Sequence, residues 1–174
     1  MSAASRTAAQ LRAEFDRSFA EAAHGETEAR DDFLAIRLGG EAHAVRLAEV
    51  AHLLPLTALT RLPSPLSVLL GVIGFRGAIV PVYDMRALLG HAASEPPHWL
   101  AVAQAEPVAF AFDAFDGHRR RPRSASVPRA HGEPAQQHVR EVLCDGEQVW
   151  PIVSMASVLD TVKAMVQPSP EGSM

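Results

Sequence analysis

The chain has 174 residues, 48% of them hydrophobic and 21% charged, with a formal net charge of −4 at neutral pH. This is about one domain's worth of chain, enough to bury a core without disulfides or a structural metal. The composition favours neither a disordered chain nor a membrane protein. The net negative charge argues against nucleic-acid binding, which needs clustered Lys and Arg to displace counterions.

The longest uncharged stretch, residues 62–75, indicates no direct membrane insertion. It is interrupted by prolines and glycines and is shorter than the roughly 20 apolar residues that a spanning helix needs. The amino terminus lacks the pattern of a secretory signal. Cys144 is the single cysteine, so the sequence predicts a protein of the reducing cytoplasm.

Residues 1–31 are predicted to form an amphipathic helix followed by a linker. Leu11, Phe15 and Phe19 are spaced four apart, which places them in one apolar stripe of the helix. Two interpretations stay open. The stripe packs on its own domain, or it is a docking helix for another protein.

The first half of the remaining chain is predicted to contain short strands. Residues 33–38 and 41–47 form two strands around a Gly-Gly hairpin turn. Residues 47–54 suggest a helical turn that ends at a proline, and residues 57–62 return to extended chain.

A second pair of strands and a short helix follow. Strands are predicted over residues 71–77 and 78–83, and a helix over residues 85–89 with Asp84 as its N-cap. Residues 91–98 are polar and rich in proline, which is typical of a connection.

The second half repeats this organisation. The Asp145-Gly146 pair is a strong hairpin signal. The period-two pattern places Phe110 and Phe112 on one face of a strand. Strands are predicted over residues 99–104, 108–112, 139–144 and 148–153, followed by a helix over 155–162 after the N-cap Ser154 and a flexible tail over 164–174.

Residues 117–137 carry an arginine run, Arg119, Arg120, Arg121 and Arg123. The run and the prolines around it predict an exposed, irregular excursion. Its arginines are either a solvated surface or a patch for phosphate or an acidic partner.

Residues 80–89 and 150–159 share one order of features: a strand with an early proline, a capping residue and a short amphipathic helix. This repetition indicates two related β units, roughly residues 32–90 and 98–163. Each unit is too short to bury much apolar surface alone, so the two are expected to share a core.

The sequence predicts no enzyme, cofactor or metal site. No nucleophile elbow, phosphate-binding loop or metal-ligand motif is present. His43 and His52 could meet in space, but they lack the ligand spacing of a zinc site. Asp113 and Asp116 fit turn residues better than an acid/base pair. An enzyme or small-ligand sensor that uses these four residues is the remote alternative.

One stretch resembles a known family. Residues 71–90 read GVIGFRGAIVPVYDMRALLG and are similar to the pattern G-V-x-N-L-R-G-x-I-V-P-V-x-D-L-R-x-x-L-G of CheW-like domains. The resemblance covers residues 32–162, strongly in the first half and faintly in the second. It implies a mainly β fold of two intertwined SH3-like, five-stranded β-barrels that share a core, with short helices; the N-terminal helix is an addition.

The resemblance also implies a function. Family members are non-catalytic scaffolds that link the cytoplasmic tips of methyl-accepting chemoreceptors to the regulatory domain of a CheA-type histidine kinase, through the barrel ends and the groove between barrels. The alternative is a CheW-like scaffold of a non-chemotactic pathway, with a private partner docked by the N-terminal helix.

The resemblance implies a set of partner-binding residues. Arg76 matches the arginine of the family pattern and Gly71 the glycine that opens it, while Val50 matches a hydrophobic position after the second strand. Phe75 and His52 complete the predicted site. A guanidinium at Arg76 offers five fixed donors to a partner's carboxylates or carbonyls.

The chain also departs from the family pattern. Gly74 stands where the pattern has asparagine, and His52 where an acidic residue is common; Glu141 and Leu143 occupy usual glycine positions. These departures predict a divergent member with specialised partners.

Overall fold

The structure is a computed structural model that describes residues 28–92, 95–129 and 137–167. The predicted N-terminal helix, with Leu11, Phe15 and Phe19, lies outside the described residues. Residues 168–174 of the predicted tail lie outside them as well.

The described residues form a mainly β fold with two α-helices, as the sequence predicts. Two short 3-10 turns, Leu47–Glu49 and Arg123–Ala125, join strands. The strands are β1 (Arg30–Leu38), β2 (Glu41–Arg46), β3 (Val50–Pro55), β4 (Leu69–Phe75), β5 (Ala78–Asp84), β6 (Trp99–Ala103), β7 (Ala109–Phe112), β8 (Ala114–Pro122), β9 (Ser126–Pro128), β10 (Val139–Asp145) and β11 (Gln148–Val153), and the helices are α1 (Met85–Leu88) and α2 (Met155–Val166).

The strands form two sheets, and both halves of the sequence contribute to each. The first sheet has the order β8-β1-β2-β11-β10-β9 and the second sheet the order β3-β6-β7-β5-β4. The chain therefore crosses from the first sheet to the second and back. The second sheet has the predicted five strands. The first has six, because β9 pairs with the edge of β10.

Alternate residues of the central strands face different cores. In β7, Ala109 and Ala111 face a core enclosed by the second sheet, whereas Phe110 and Phe112 face a core between the two sheets. The prediction that these two phenylalanines share a face is confirmed. The first sheet encloses its own core around Phe33. Because both faces of such strands are buried, the two sheets are held together by shared apolar packing.

The prediction of an irregular excursion at the arginine run is wrong for residues 117–128. These residues lie in β8, a 3-10 turn and β9, and β8 pairs antiparallel with β1. The arginine side chains meet acidic partners: Arg121 Nη2 lies 2.7 Å from Asp145 Oδ2, and Arg123 Nε lies 3.0 Å from Asp31 Oδ1. Strand β8 therefore forms although its sequence lacks the alternation of apolar and polar residues, because β1 pairs with its backbone and acidic side chains compensate its arginines.

One further local prediction needs correction. Residues 47–54 form a 3-10 turn, Leu47–Glu49, and then β3. Pairing of β3 with β6 supplies backbone hydrogen bonds, so the tertiary context overrides the local helical pattern. Between 57 and 62 the extended chain makes one isolated bridge, from Thr60 to Val72.

The predicted helix caps are confirmed. Asp84 Oδ1 accepts a hydrogen bond from Arg86 N at 3.0 Å, and Ser154 Oγ accepts one from Ser157 N at 3.3 Å. Each satisfies an amide that the first turn leaves free. Helix α2 ends at Val166, beyond the predicted 162. Across the described ranges, neither helix has the length and apolar character that crossing a membrane requires.

His138 is buried at the start of β10 and braces α2. Its Nδ1 lies 2.9 Å from the Ser157 hydroxyl, and its carbonyl accepts a hydrogen bond from Ser154 N. Burial lowers the pKa of His138 below the ordinary 6.5, and the charge of Arg140 lowers it further. Folded His138 therefore resists protonation.

We expect the free energy of unfolding to fall as the pH drops below about 6.5, because the unfolded chain then binds a proton that folded His138 does not. His138 contributes at most about 1.4 kcal/mol of this loss per pH unit, and its contribution ends once its lowered pKa is passed. Urea unfolding between about pH 5 and pH 8 measures it. His138→Gln should make the profile shallower and leave the part due to His43, whose pKa burial also lowers, whereas His98→Gln, at an exposed histidine, serves as the control. An unchanged profile in His138→Gln would contradict the prediction.

Candidate functional site

The β4–β5 hairpin ends in a two-residue turn, Arg76 and Gly77. Both residues have positive φ angles, 50° and 78°, as a type I′ turn requires. Glycine adopts this conformation freely, but for an arginine it costs about 1 kcal/mol. Strain of this kind persists where a side chain is needed for another purpose, which points to a functional role for Arg76.

The Arg76 side chain is exposed at this tip. Its guanidinium lies 5.4 Å from the centroid of the Phe75 ring, a cation–π arrangement. Within the described ranges it makes no hydrogen bond or ion pair to its own loop. Its five N–H donors are therefore available to a partner's carboxylates.

Phe75 and His52 bring the two edge strands of the second sheet together. Their ring centroids lie 5.0 Å apart with an interplanar angle of 57°. His52 lies on β3 and Phe75 on β4, at opposite edges of the sheet order. The structure thus places three predicted site residues, Arg76, Phe75 and His52, in one patch.

Ile79 is a second exposed residue of the β4–β5 hairpin, and it was not predicted from the sequence. It is 77% exposed and follows the hairpin turn on β5. The period-two pattern could have revealed it, since Val80 and Val82 point into the core. An exposed isoleucine and an exposed arginine on one hairpin offer the two kinds of contact, apolar and charge-assisted, that dominate many protein interfaces.

The other two predicted site residues are buried. Val50 is 8% exposed and belongs to the core between the sheets, so it offers little surface to a partner. Gly71 is buried on β4, with a φ of 149°, where the backbone of Thr60 crosses closely. Their role in binding stays a prediction.

A groove of about 220 Å³ lies beside Glu49. Its walls are the 3-10 turn after β2, the end of β6 with the loop that follows it, and helix α2. Glu49 joins its walls: Glu49 Oε2 accepts a hydrogen bond from Met155 N at 3.3 Å, and Glu49 O accepts one from Gln104 N at 2.9 Å. Sequence reasoning missed the groove because its walls are distant in the chain. The lining residues are Ala48, Glu49, Ala103, Gln104, Ala105, Met155, Ala156 and Leu159.

A buried ion network lies at the end of β5. Arg86 is 2% exposed. Its guanidinium donates to both oxygens of Asp84, at 2.9 and 2.7 Å, to Asp113 Oδ1 at 2.6 Å and to the Glu95 carbonyl at 2.5 Å. The hydrogen bonds that Arg86 donates to Asp84 are the main reason that the pKa of Arg86 is raised. The aspartate and arginine of the family pattern therefore have a structural use in this chain.

The residues of the enzyme alternative do not converge. Asp113 Oδ2 accepts a hydrogen bond from Gly39 N at 2.6 Å, and Asp116 pairs with Arg37 at 2.6 Å. His43 lies on β2 of the first sheet and His52 on β3 of the second. The two aspartates thus bind neighbouring backbone and side chains, and the two histidines do not meet.

Comparison with known proteins connects this geometry to a family. Residues 32–163 match the CheW-like domain family. The chain is 36% identical over 75 residues to a chemotaxis protein CheW of Rhizobium meliloti and 33% identical over 75 residues to a probable chemotaxis protein CheW of Rhizobium etli. Each match covers 42% of this chain and 48% of the relative, so it spans about half the relative's length.

The fold is similar to a solved structure as well. The scaffolding protein TtCheW of Thermoanaerobacter tengcongensis superposes with a TM-score of 0.67 at 14% sequence identity, over 73% of this chain and 90% of that one. At this identity the likeness concerns the fold alone. Because the family match covers most of the chain, this protein belongs to the CheW-like domain family.

Proposed function

We propose that the chain is a non-catalytic, cytoplasmic scaffold that couples the tips of methyl-accepting chemoreceptors to the regulatory domain of a CheA-type histidine kinase. Family membership and the chemotaxis proteins among its relatives support the proposal. In this proposal residues 32–163 form the scaffold domain, and the two sheets correspond to the SH3-like barrels of the family.

The observation that carries the proposal is the hairpin tip with Arg76, Phe75 and Ile79. Arg76 is exposed and held in a strained conformation, and Ile79 of the same hairpin is 77% exposed. A stable fold has no need of either feature at that turn. An acidic and partly apolar surface on the kinase regulatory domain would satisfy both, through bidentate hydrogen bonds to the guanidinium and burial of Ile79.

The groove beside Glu49 suits the second partner. Its lining is mostly alanine, methionine and leucine, which accepts an apolar side chain from a helical segment. We assign it to the receptor tip. Because the groove and the hairpin tip are separate surfaces, one chain can bind both partners at once, as coupling requires.

The test is binding of the intact chain to the kinase regulatory domain encoded by the same genome. Arg76→Glu should weaken binding roughly 30-fold or more, the effect of losing an interface arginine worth about 2 kcal/mol or above. Arg76→Asn should weaken it less, and it should also raise the melting temperature slightly, since asparagine tolerates positive φ. Isothermal titration calorimetry measures the affinities.

The matched control is Ala156→Arg, an exposed position on α2 in the groove. It should keep kinase binding and lose receptor binding. Full kinase affinity in a folded Arg76→Glu variant would remove the hairpin tip from the interface. Absence of wild-type binding to both partners would overturn the coupling function.

A further inference from the structure

Glu41, His43 and His91 converge at the end of the β1–β2 hairpin. Each offers a ligand atom, and these atoms lie within 4.8 Å of one another. The His43 and His91 rings are 4.9 Å apart in an edge-to-face arrangement, and Glu41 Oε2 lies 3.9 Å from His91 Nδ1. Two imidazoles and a carboxylate are a donor set that suits Zn²⁺.

His43 is arranged as a metal ligand. Its Nδ1 lies 3.2 Å from the Glu41 backbone carbonyl. A carbonyl can only accept, so Nδ1 carries the proton and Nε2 keeps its lone pair. Metal-binding histidines are oriented by this kind of bond. His43 is 4% exposed, so the surrounding protein holds its ring in place.

His91 is held in place by two separate contacts. Its backbone N–H donates to Arg86 O at 2.8 Å. On its other side the β1–β2 turn approaches so closely that a Cβ added to Gly39 would lie 3.0 Å from the His91 Cβ. Two of the three ligands are therefore positioned by the fold before a metal arrives, which lowers the cost of ordering them.

Glu41 closes the site. Its side chain is 72% exposed, so it can rotate to bring its carboxylate inward. Tetrahedral Zn²⁺ with bonds of about 2.0–2.2 Å places its ligand atoms about 3.3–3.5 Å apart. Ligand atoms that lie up to 4.8 Å apart must approach by as much as about 1.5 Å, through rotation of the Glu41 and His91 side chains.

We propose that Glu41, His43 and His91 bind one Zn²⁺ ion, with water as the fourth ligand. His43 and Glu41 belong to β2 of the first sheet, and His91 follows α1, which continues from β5 of the second sheet. The ion therefore links the first sheet to the segment that follows β5 and α1. The sequence offered no ligand spacing for this site, because only the fold brings His91 to His43.

The experiment titrates the full chain, first treated with chelator, with ZnCl₂ and separately with CoCl₂. One equivalent should bind, and Co²⁺ should give the intense visible absorption of a tetrahedral complex. Free Zn²⁺ at about 100 times its Kd should raise the melting temperature by roughly 5–10 °C. Excess chelator should reverse the shift.

The variants are Glu41→Gln and His91→Ala, because replacing the buried His43 could unfold the chain. Both should weaken Zn²⁺ binding at least 10-fold and abolish the Co²⁺ spectrum, while the chelator-treated proteins melt close to wild type. His98→Ala, at an exposed histidine elsewhere, is the matched control and should bind as wild type does. The proposal would be overturned if His91→Ala bound Zn²⁺ with wild-type affinity, or if Zn²⁺ did not raise the melting temperature of the wild-type protein.

Discussion

Replacing Arg86 with methionine should lower the free energy of unfolding by about 3–5 kcal/mol, the usual cost of removing one partner from a buried ion pair. The loss should be large because Asp84 is 5% exposed and would lose the guanidinium that compensates its burial. Asp113 would also lose its bond to Arg86. Urea unfolding followed by circular dichroism measures the change.

Arg37→Met is the matched control. Arg37 and Asp116 approach to 2.6 Å, the same distance as Arg86 and Asp113, but their side chains are 42% and 28% exposed. Water screens such a pair, so the loss should stay below about 1 kcal/mol. A loss of similar size in both variants would show that burial does not set the strength of the Arg86 network.

The double variant Arg86→Met with Asp113→Asn tests how the network connects the sheets. Asp113 also accepts a hydrogen bond from Gly39 in the β1–β2 turn of the first sheet. If Arg86 positions Asp113 for that bond, the two substitutions should be non-additive by about 0.5–3 kcal/mol. Additive losses would mean that Asp113 holds the turn independently of Arg86.

Local chemistry explains which parts of the fold could be predicted from the sequence. Gly39 and Gly40 in one hairpin turn, and Gly146 in another, supply the positive φ angles that these turns need, while Asp145 ends β10 just before its turn. Asp84 and Ser154 cap helices that begin immediately after them. Each signal depends on only a few neighbouring residues, so it can be recognised in the sequence without knowledge of the tertiary structure.

Sheet assembly depends on long-range pairing and could be predicted only through the family resemblance. Strand β11 lies parallel to β2, with Ile152 opposite Ala44. No property of either segment alone specifies the other as its neighbour. The arginine run shows the same limit, since β8 is a strand because β1 supplies its hydrogen bonds and its acidic partners.

Some residues of the candidate site could likewise be identified from the sequence, whereas others are brought together only by the tertiary structure. Arg76 and Phe75 lie inside the stretch that resembles the family, so they could be named from the sequence. The contact of Phe75 with His52 and the groove beside Glu49 join residues distant in the chain. Val50 shows that the resemblance implies a role without indicating burial: the residue lies in the core between the sheets, and its binding role stays a prediction.

Gly71 carries the other large expected effect. The carbonyl of Thr60 accepts a hydrogen bond from Val72 N at 2.9 Å, and Thr60 N donates to Val72 O at 2.9 Å. This bridge brings the Thr60 backbone onto Gly71, where an added Cβ would lie 2.9 Å from the Thr60 carbonyl carbon and closer still to its oxygen. Real Cβ atoms essentially never come so near, and backbone cannot move aside as a flexible side chain can.

Gly71→Ala should therefore lower the free energy of unfolding by about 2–4 kcal/mol, from the broken Thr60–Val72 bridge and a φ of 149° that alanine tolerates poorly. Gly74→Ala is the matched control on the same strand: nothing lies within 4 Å of its added Cβ, so stability should stay unchanged or rise by up to about 1 kcal/mol. Thermal and urea unfolding of the two variants test whether the chain needs a glycine at position 71 because the Thr60 backbone lies so close, or because the residue contacts the kinase. If Gly71→Ala keeps wild-type stability yet loses kinase binding, the glycine acts at the interface, and the close approach of Thr60 is not what makes a glycine necessary there.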